Sequence, residues 1–294
     1  MYKQIDSNKR NSLILVVVFF AVLLGVGFVF DYFYGSDHVP YIGLIIALGF
    51  SVVMTLVSFF KGDKIALASS GAKPIKKQDN SYFYNMVENL CITAGLPMPK
   101  LYIMEESSIN AFATGRKPEL ASIAVTRGAI EKLENEELEG VLAHELSHIG
   151  NYDIRFMTLV AVLVGSIAIL ADLFFRISLF GGRSRDNKSG HPIVMIVGVI
   201  FIILSPIVAQ LIKLAISRRR EYLADASGAL LTRYPDGLAG ALEKISQDSS
   251  RMKRASKATA HLFIASPFSK KKIKSAFSTH PPIEERIKKL RNMA

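Results

Sequence analysis

The sequence predicts a mostly helical α+β membrane protein, and three observations carry that prediction. Long apolar runs recur along the chain, the polar stretches between them alternate helical and strand periodicity, and basic residues collect at the ends of the runs. Half of the 294 residues are hydrophobic, and their concentration into runs argues against one large soluble core.

Residues 13–30 form an unbroken apolar stretch and residues 41–60 a second, each long enough to cross the hydrocarbon layer. The first is long for a signal-peptide core and no small-residue cleavage site follows it, so it reads as a retained span. Residues 157–180 are apolar apart from Asp172 and Arg176 near their far end, and residues 193–216 are apolar with Pro206 and Gln210 inside. About four transmembrane helices are therefore expected. The loop 181–192 carries Arg183, Arg185 and Lys188, more positive charge than an outer loop should hold, so a hairpin that enters and returns is the alternative for the last pair. Lys3, Lys9 and Arg10 precede the first run, while Lys61, Lys64, Lys73, Lys76 and Lys77 follow the second. The link between those two runs has Asp31 and Asp37 and no basic residue. This bias predicts a cytoplasmic N-terminus, with residues 61–156 and 217–294 on that same side. The expected organisation is a membrane hairpin over 1–60, a first soluble part over 61–156, a second membrane hairpin over 157–216 and a second soluble part over 217–294.

In the soluble parts, Asn80 or Ser81 is placed to cap a helix whose apolar positions are Phe83, Met86, Val87, Leu90, Cys91 and Ala94, ended by Gly95 and Pro97. Residues 100–104 and 122–126 read as short strands, and 110–115 as strand and turn. Thr126 is expected to cap a short helix reaching Leu133, and Asn135 a longer one through Ile149 with Glu136 and Glu137 near its positive end. Helices are expected over 221–233 and over 237–248, the latter capped by Asp236. A basic loop should fill 249–279, and a last helix should open at Pro282.

The net charge of +11 is explained by basic residues flanking apolar runs, which suits a lipid bilayer as partner; no nucleic-acid recognition motif accompanies it. The single cysteine, Cys91, excludes a disulfide framework and sits in the apolar pattern of a core thiol.

The chemistry concentrates at His144-Glu145-Leu146-Ser147-His148. Residues four apart share one helix face, so His144 and His148 can grip one ion, and Glu145 projects close enough to act on a water at that ion. The neighbourhood is apolar and capped, unlike a solvated surface copy of the motif. A glycine at 151 and a histidine at 154 would supply one known type of third ligand, but those positions hold Asn151 and Ile154. No glutamate occurs between His148 and Glu221, and His191, the one histidine there, lies in the loop placed outside. Glu221 emerges from the fourth run on the correct side, although an ion pair with the preceding arginines is its plainer reading. Asp225, one turn on, suits a residue that holds the free N–H of a ligand imidazole.

With these motifs in view, the chain resembles the HtpX-like membrane peptidases of peptidase family M48, related to the CAAX prenyl proteases. The likeness runs from the first span to the C-terminus. It rests on Asn110-Ala-Phe-Ala-Thr-Gly, the stretch from Val141 to Asp153 around the two histidines, Arg220-Glu-Tyr-Leu-Ala-Asp225, His261-Leu-Phe and Thr279-His-Pro-Pro-Ile-Glu-Glu-Arg286. The resemblance implies a gluzincin-type zinc-peptidase domain with a small sheet. It implies one Zn2+ held by His144, His148 and Glu221, Glu145 as general base, and Asp225 behind a ligand. It also implies His280 and Arg286 near the developing oxyanion or the substrate, and Asn110 beside an edge strand that binds extended peptide. The expected function is an endopeptidase at the cytoplasmic face of a bacterial inner membrane, cleaving misfolded or damaged membrane proteins. A maturation protease with one lipidated or peptide substrate is a second reading. A scaffold with a structural zinc site is a third, against which stand Glu145 and the want of an evident fourth protein ligand. Oligomeric state is not legible.

Overall fold

The computed structural model describes residues 2–34, 41–180, 217–256, 258–268 and 281–293. The expected loop 181–192, the fourth apolar run 193–216 and His280 lie outside the described residues.

Three described helices are long and apolar enough to cross a membrane: α1 (Tyr2–Tyr34), α2 (Ile42–Ser69) and α6 (Asp153–Phe180). α1 and α2 form a hairpin closed by two devices. Both carboxylate oxygens of Asp31 accept from the first backbone N–H groups of α2, Gly43 at 2.7 Å and Leu44 at 2.9 Å, satisfying donors that a helix start leaves over. Gly27 and Gly43 meet where the helices cross, and a Cβ on Gly27 would lie 2.6 Å from the Gly43 carbonyl oxygen, so the approach requires glycine. Large apolar side chains such as Leu13, Val17, Ile45, Ile46 and Val53 face outward, as lipid contact demands. α6 packs inside the group, with Phe156, Leu159, Val160, Leu163 and Ile167 against Leu15, Phe19 and Leu23 of α1.

The soluble part is built on a four-stranded sheet of β1 (Ala72–Pro74), β2 (Lys100–Met104), β3 (Ala111–Thr114) and β4 (Ser122–Thr126), in spatial order β1-β2-β4-β3. β2 and β4 run parallel, and the outer pairs are antiparallel. Alternate side chains leave opposite faces of a strand. Leu101, Ile103, Ala111, Ala113, Ile123 and Val125 therefore enter the core made by α3 (Ser81–Ala94), α5 (Asn135–Gly150) and α8 (Pro235–Gln247). Met104, Phe112 and Ala124 point the other way, onto Ala66 and Leu67 of α2 and Met157 and Ala161 of α6. Full burial of a side chain like Phe112 contributes about 1.5–3 kcal/mol, so the sheet bonds α3, α5 and α8 to the membrane stem. Burial on both faces also explains why these strands read as nearly continuous apolar runs. β1 was not legible, because Lys73 and Pro74 leave no apolar alternation; as an edge strand it tolerates proline.

The capping expectations hold for α3, where the Asn80 side chain accepts from the Phe83 N–H and Gly95 closes the helix at φ 64°, and for α4 (Arg127–Lys132), where Thr126 accepts from Ala129. Three expectations need correction. α5 is capped by Glu134 rather than Asn135, with Glu137 returning a bond from the Glu134 N–H at 2.8 Å. α8 opens at Pro235 rather than under an Asp236 cap; Asp236 instead pairs with Arg291 at 2.6 Å. α7 (Arg218–Thr232) also starts three residues earlier than expected, because arginine is a good helix former. The chain ends in α9 (Ile283–Arg291), and Cys91 is buried in the core; burial pushes its thiol up to about 11.

Replacing Gly27 with leucine should force α1 and α2 apart. Overpacking of this kind costs about 1–3 kcal/mol, and a lowered thermal midpoint of the purified protein in detergent is the expected result.

Candidate metal centre and active site

α5 carries the central residues. A two-residue turn, with Tyr152 at φ 60°, links its end to membrane helix α6. α7 crosses it closely. Gly228 of α7 lies where a Cβ would come within 3.0 Å of the His144 backbone nitrogen, so a larger residue would push the carboxylate-bearing helix away. The packing brings three donors together from two distant stretches. The Nε2 atoms of His144 and His148 stand 3.2 Å apart, and the Glu221 carboxylate lies 3.9 Å from the first and 3.7 Å from the second. All three residues are buried.

The other ring nitrogens are committed. His144 Nδ1 lies 2.9 Å from Asp225 Oδ1, and His148 Nδ1 lies 2.9 Å from Asp153 Oδ2. Each carboxylate fixes the tautomer with hydrogen on Nδ1, which leaves two Nε2 lone pairs directed at one another. Two lone pairs at that separation repel unless a cation or proton sits between them. For tetrahedral coordination at 2.0–2.1 Å per ligand, neighbouring donors stand roughly 3.3 Å apart. The spacing and the two-nitrogen, one-carboxylate donor set fit a zinc-type ion.

The residues behind these ligands form a charged network. Arg286 of α9, fully buried, grips Asp225 with Nε at 2.8 Å and Nη2 at 2.6 Å. Its Nη1 lies 3.6 Å from Glu221 and donates to the Ile264 carbonyl at 3.3 Å. Burial works against a charged Asp225, but Arg286 and then His144 hold its carboxyl down at about 2. Asp153 is a residue that sequence reasoning missed. Arg220 Nε lies 2.9 Å from its Oδ1, and Asn8 donates to that same oxygen at 2.6 Å. Asn8 belongs to the first membrane helix and also donates to the Asn151 carbonyl at 2.9 Å. Asp153 stands five residues after a histidine at a helix junction and was open to suspicion. Nothing in the sequence marks Asn8, 145 residues away.

Glu145 is buried on the same helix, beside the ligands. Burial, reinforced by Glu221, lifts its carboxyl to about 7, against the pull of His148, an Ala113 backbone hydrogen bond and Arg286. A carboxyl poised there can accept and return a proton near neutral pH. Burial disfavours a charged His148, but Asp153, Glu221 and Glu145 outweigh it and raise the ring to about 9. Burial dominates for His144, which is lowered despite Asp225. The Asn110 side chain bonds the Ala265 carbonyl at 3.0 Å, and Ile264 donates to the Ala111 carbonyl at 2.9 Å. Residues 264–265 thus line the outer edge of β3. His261 contacts the Met157 carbonyl at 3.0 Å, tying that loop to α6.

Residues 77–294 match the profile described as Peptidase family M48. The chain belongs to peptidase family M48. Its full length is 44% identical to a protease HtpX homolog of Thermoanaerobacter pseudethanolicus, covering 98% of that protein. It is 45% identical to one of Listeria monocytogenes serotype 4b, covering 100% of each chain. The fold is similar to the crystal structure of S. mikatae Ste24p, at TM-score 0.52 and 20% identity over 99% of this chain and 67% of that one. This M48 protein is a membrane metalloprotease, and its His144–His148–Glu221 cluster is where a metal can be held.

Two predictions follow from this geometry. A metal needs a neutral His148, and that ring holds a proton below about 9 in the metal-free chain. Apparent metal affinity should therefore rise from pH 6 to 8, roughly tenfold per unit for the one proton displaced. Calorimetric titration in buffers of differing ionisation enthalpy reads that proton directly, and a flat profile would refute the assignment. Asp153→Asn should weaken metal binding about 10–100-fold in a chelator competition, and Asn8→Ala should weaken it less, because one of the bonds to Asp153 remains.

Proposed function

We propose that the chain is a zinc-dependent endopeptidase that works at the cytoplasmic face of a bacterial inner membrane on misfolded or damaged membrane proteins. The observation that carries this reading is the convergence of His144, His148 and Glu221 beside a buried carboxyl, Glu145, on a domain fastened to three membrane helices. In this reading residues 1–60 and 157–216 are the membrane hairpins, and 61–156 with 217–294 make one cytoplasmic peptidase unit.

Bound at these ligands, Zn2+ would acidify a water and polarise the scissile carbonyl. The chain's own residues supply the rest. Glu145 takes a proton from the attacking water and returns it to the departing amine; a carboxyl held at about 7 favours both transfers. Asp225 and Asp153 keep the two imidazoles in one tautomer, and Arg286 keeps Asp225 ionised inside the core. In this reading an extended peptide binds by strand addition along the outer edge of β3 beyond Ala111, whose carbonyl already accepts from Ile264. Asn110 shapes that groove by anchoring residues 264–265. Arg286 and His280 serve the developing charge in this scheme, Arg286 from behind Asp225 and Glu221. Tethering to the bilayer raises the effective concentration of membrane-bound substrates.

Glu145→Gln should lower cleavage of an unfolded membrane protein by about 10²–10⁴-fold while one metal per chain is retained, and Glu221→Ala should lose the metal. Activity and metal content are measured together on the reconstituted proteins. Normal turnover by the Glu145 variant would end the proposed mechanism. A topology reporter fused after residue 60 should score as cytoplasmic.

A further inference from the structure

A cavity of about 170 Å³ opens between α2, α6 and the end of the sheet, separate from the metal cluster. Lys64 comes to it from α2, Arg155 from α6, Lys100 from the start of β2, and Arg116 from the turn just after β3. One carboxylate, Asp63, shares the lining, which leaves an excess of three positive charges. Among the described residues none of the four cations forms an ion pair. The Arg155 Nε is buried and meets no hydrogen-bond partner there, an expensive state for a guanidinium donor.

The two arginines are held in place by aromatic rings. The Arg116 guanidinium carbon sits 5.3 Å from the Phe59 ring centre and 4.8 Å from that of Phe60, and the Arg155 carbon sits 5.2 Å from Phe59. Both planar forks are stacked on rings rather than swinging in solvent, which leaves their N–H edges to a ligand. The depth is informative as well. Phe60 ends the apolar run of α2, and Met157 begins that of α6, so the cavity lies at the level where acyl chain gives way to headgroup.

We propose that this cavity seats the phosphodiester of an anionic phospholipid, its oxygens taken by Arg116 and Arg155 and its charge shared by Lys64 and Lys100. Guanidinium groups suit phosphate oxygens because the fork donates two parallel bonds. Basic pockets between membrane helices are established seats for such headgroups. A bound headgroup also fastens the end of β3, through Arg116, to the lipid layer.

The test titrates the full-length protein in detergent with fluorescent phosphatidylglycerol. Arg116→Gln with Arg155→Gln should weaken binding by about 30-fold, taking roughly 1 kcal/mol per cation near an anionic surface. Arg116→Lys with Arg155→Lys should keep most of it. Lys64→Gln with Lys100→Gln alters exposed side chains and should weaken binding even if the arginine pair proves unable to fold. Lys61→Gln with Lys73→Gln removes equal charge outside the cavity and should leave affinity within about twofold. Equal losses in this control and in the arginine pair would reduce the effect to bulk attraction and overturn the proposal. So would the absence of binding by the wild type, or displacement of the labelled lipid by inorganic phosphate at similar concentration, which would mark a free-phosphate site. Failure here leaves the peptidase reading intact, since metal content and cleavage are measured separately.

Discussion

His144 and His148 direct two lone pairs at one point in space, and the rest of the soluble domain is arranged to keep them there. Imidazoles left alone would rotate or exchange tautomers. Asp225 and Asp153 remove those freedoms by accepting from the two Nδ1–H groups, with N···O distances of 2.9 Å. The carboxylates in turn are buried charges that the core could not hold unpaired, since removing one member of such a pair typically costs about 3–5 kcal/mol. Arg286 answers Asp225, while Arg220 and Asn8 answer Asp153. The site is thus a chain of paired charges in which each member justifies the next.

That chain extends beyond the peptidase helices. Asn8 and Asp153 stand at the base of two membrane helices, so the layer behind one ligand is assembled from the membrane stem itself. The sheet makes the same connection by packing, one face on α5 and the other on the ends of α2 and α6. A peptidase unit of this design is not a soluble enzyme on a leash. Its floor is the top of the membrane bundle, and the loop at 260–265 that borders the outer edge of β3 is pinned to α6 through His261.

The same burial that stabilises the core tunes the chemistry. Glu145 keeps a carboxyl near 7 because it lies out of water beside another carboxylate, whereas Asp225, equally buried, stays near 2 because Arg286 grips it. Two buried acids of one site are thereby held at different protonation, one near neutrality and one firmly ionised.

The sequence by itself determined the periodic and local features. Apolar runs set the spans, Asn80 and Thr126 set caps, and the i, i+4 histidines with Glu145 set the chemistry, because each depends on residues near one another in the chain. Glu221 and Asp225 were legible through elimination and through the resemblance to M48 peptidases. The tertiary structure alone decided what depends on distant parts meeting. Asp153 and Asn8 gain their meaning from a contact across 145 residues, and Asn110 turns toward Ala265 across 155. β1 exists because β2 offers it an edge. No local pattern encodes such contacts, since hydrogen bonds and burial are settled by which surfaces the packed helices bring within reach.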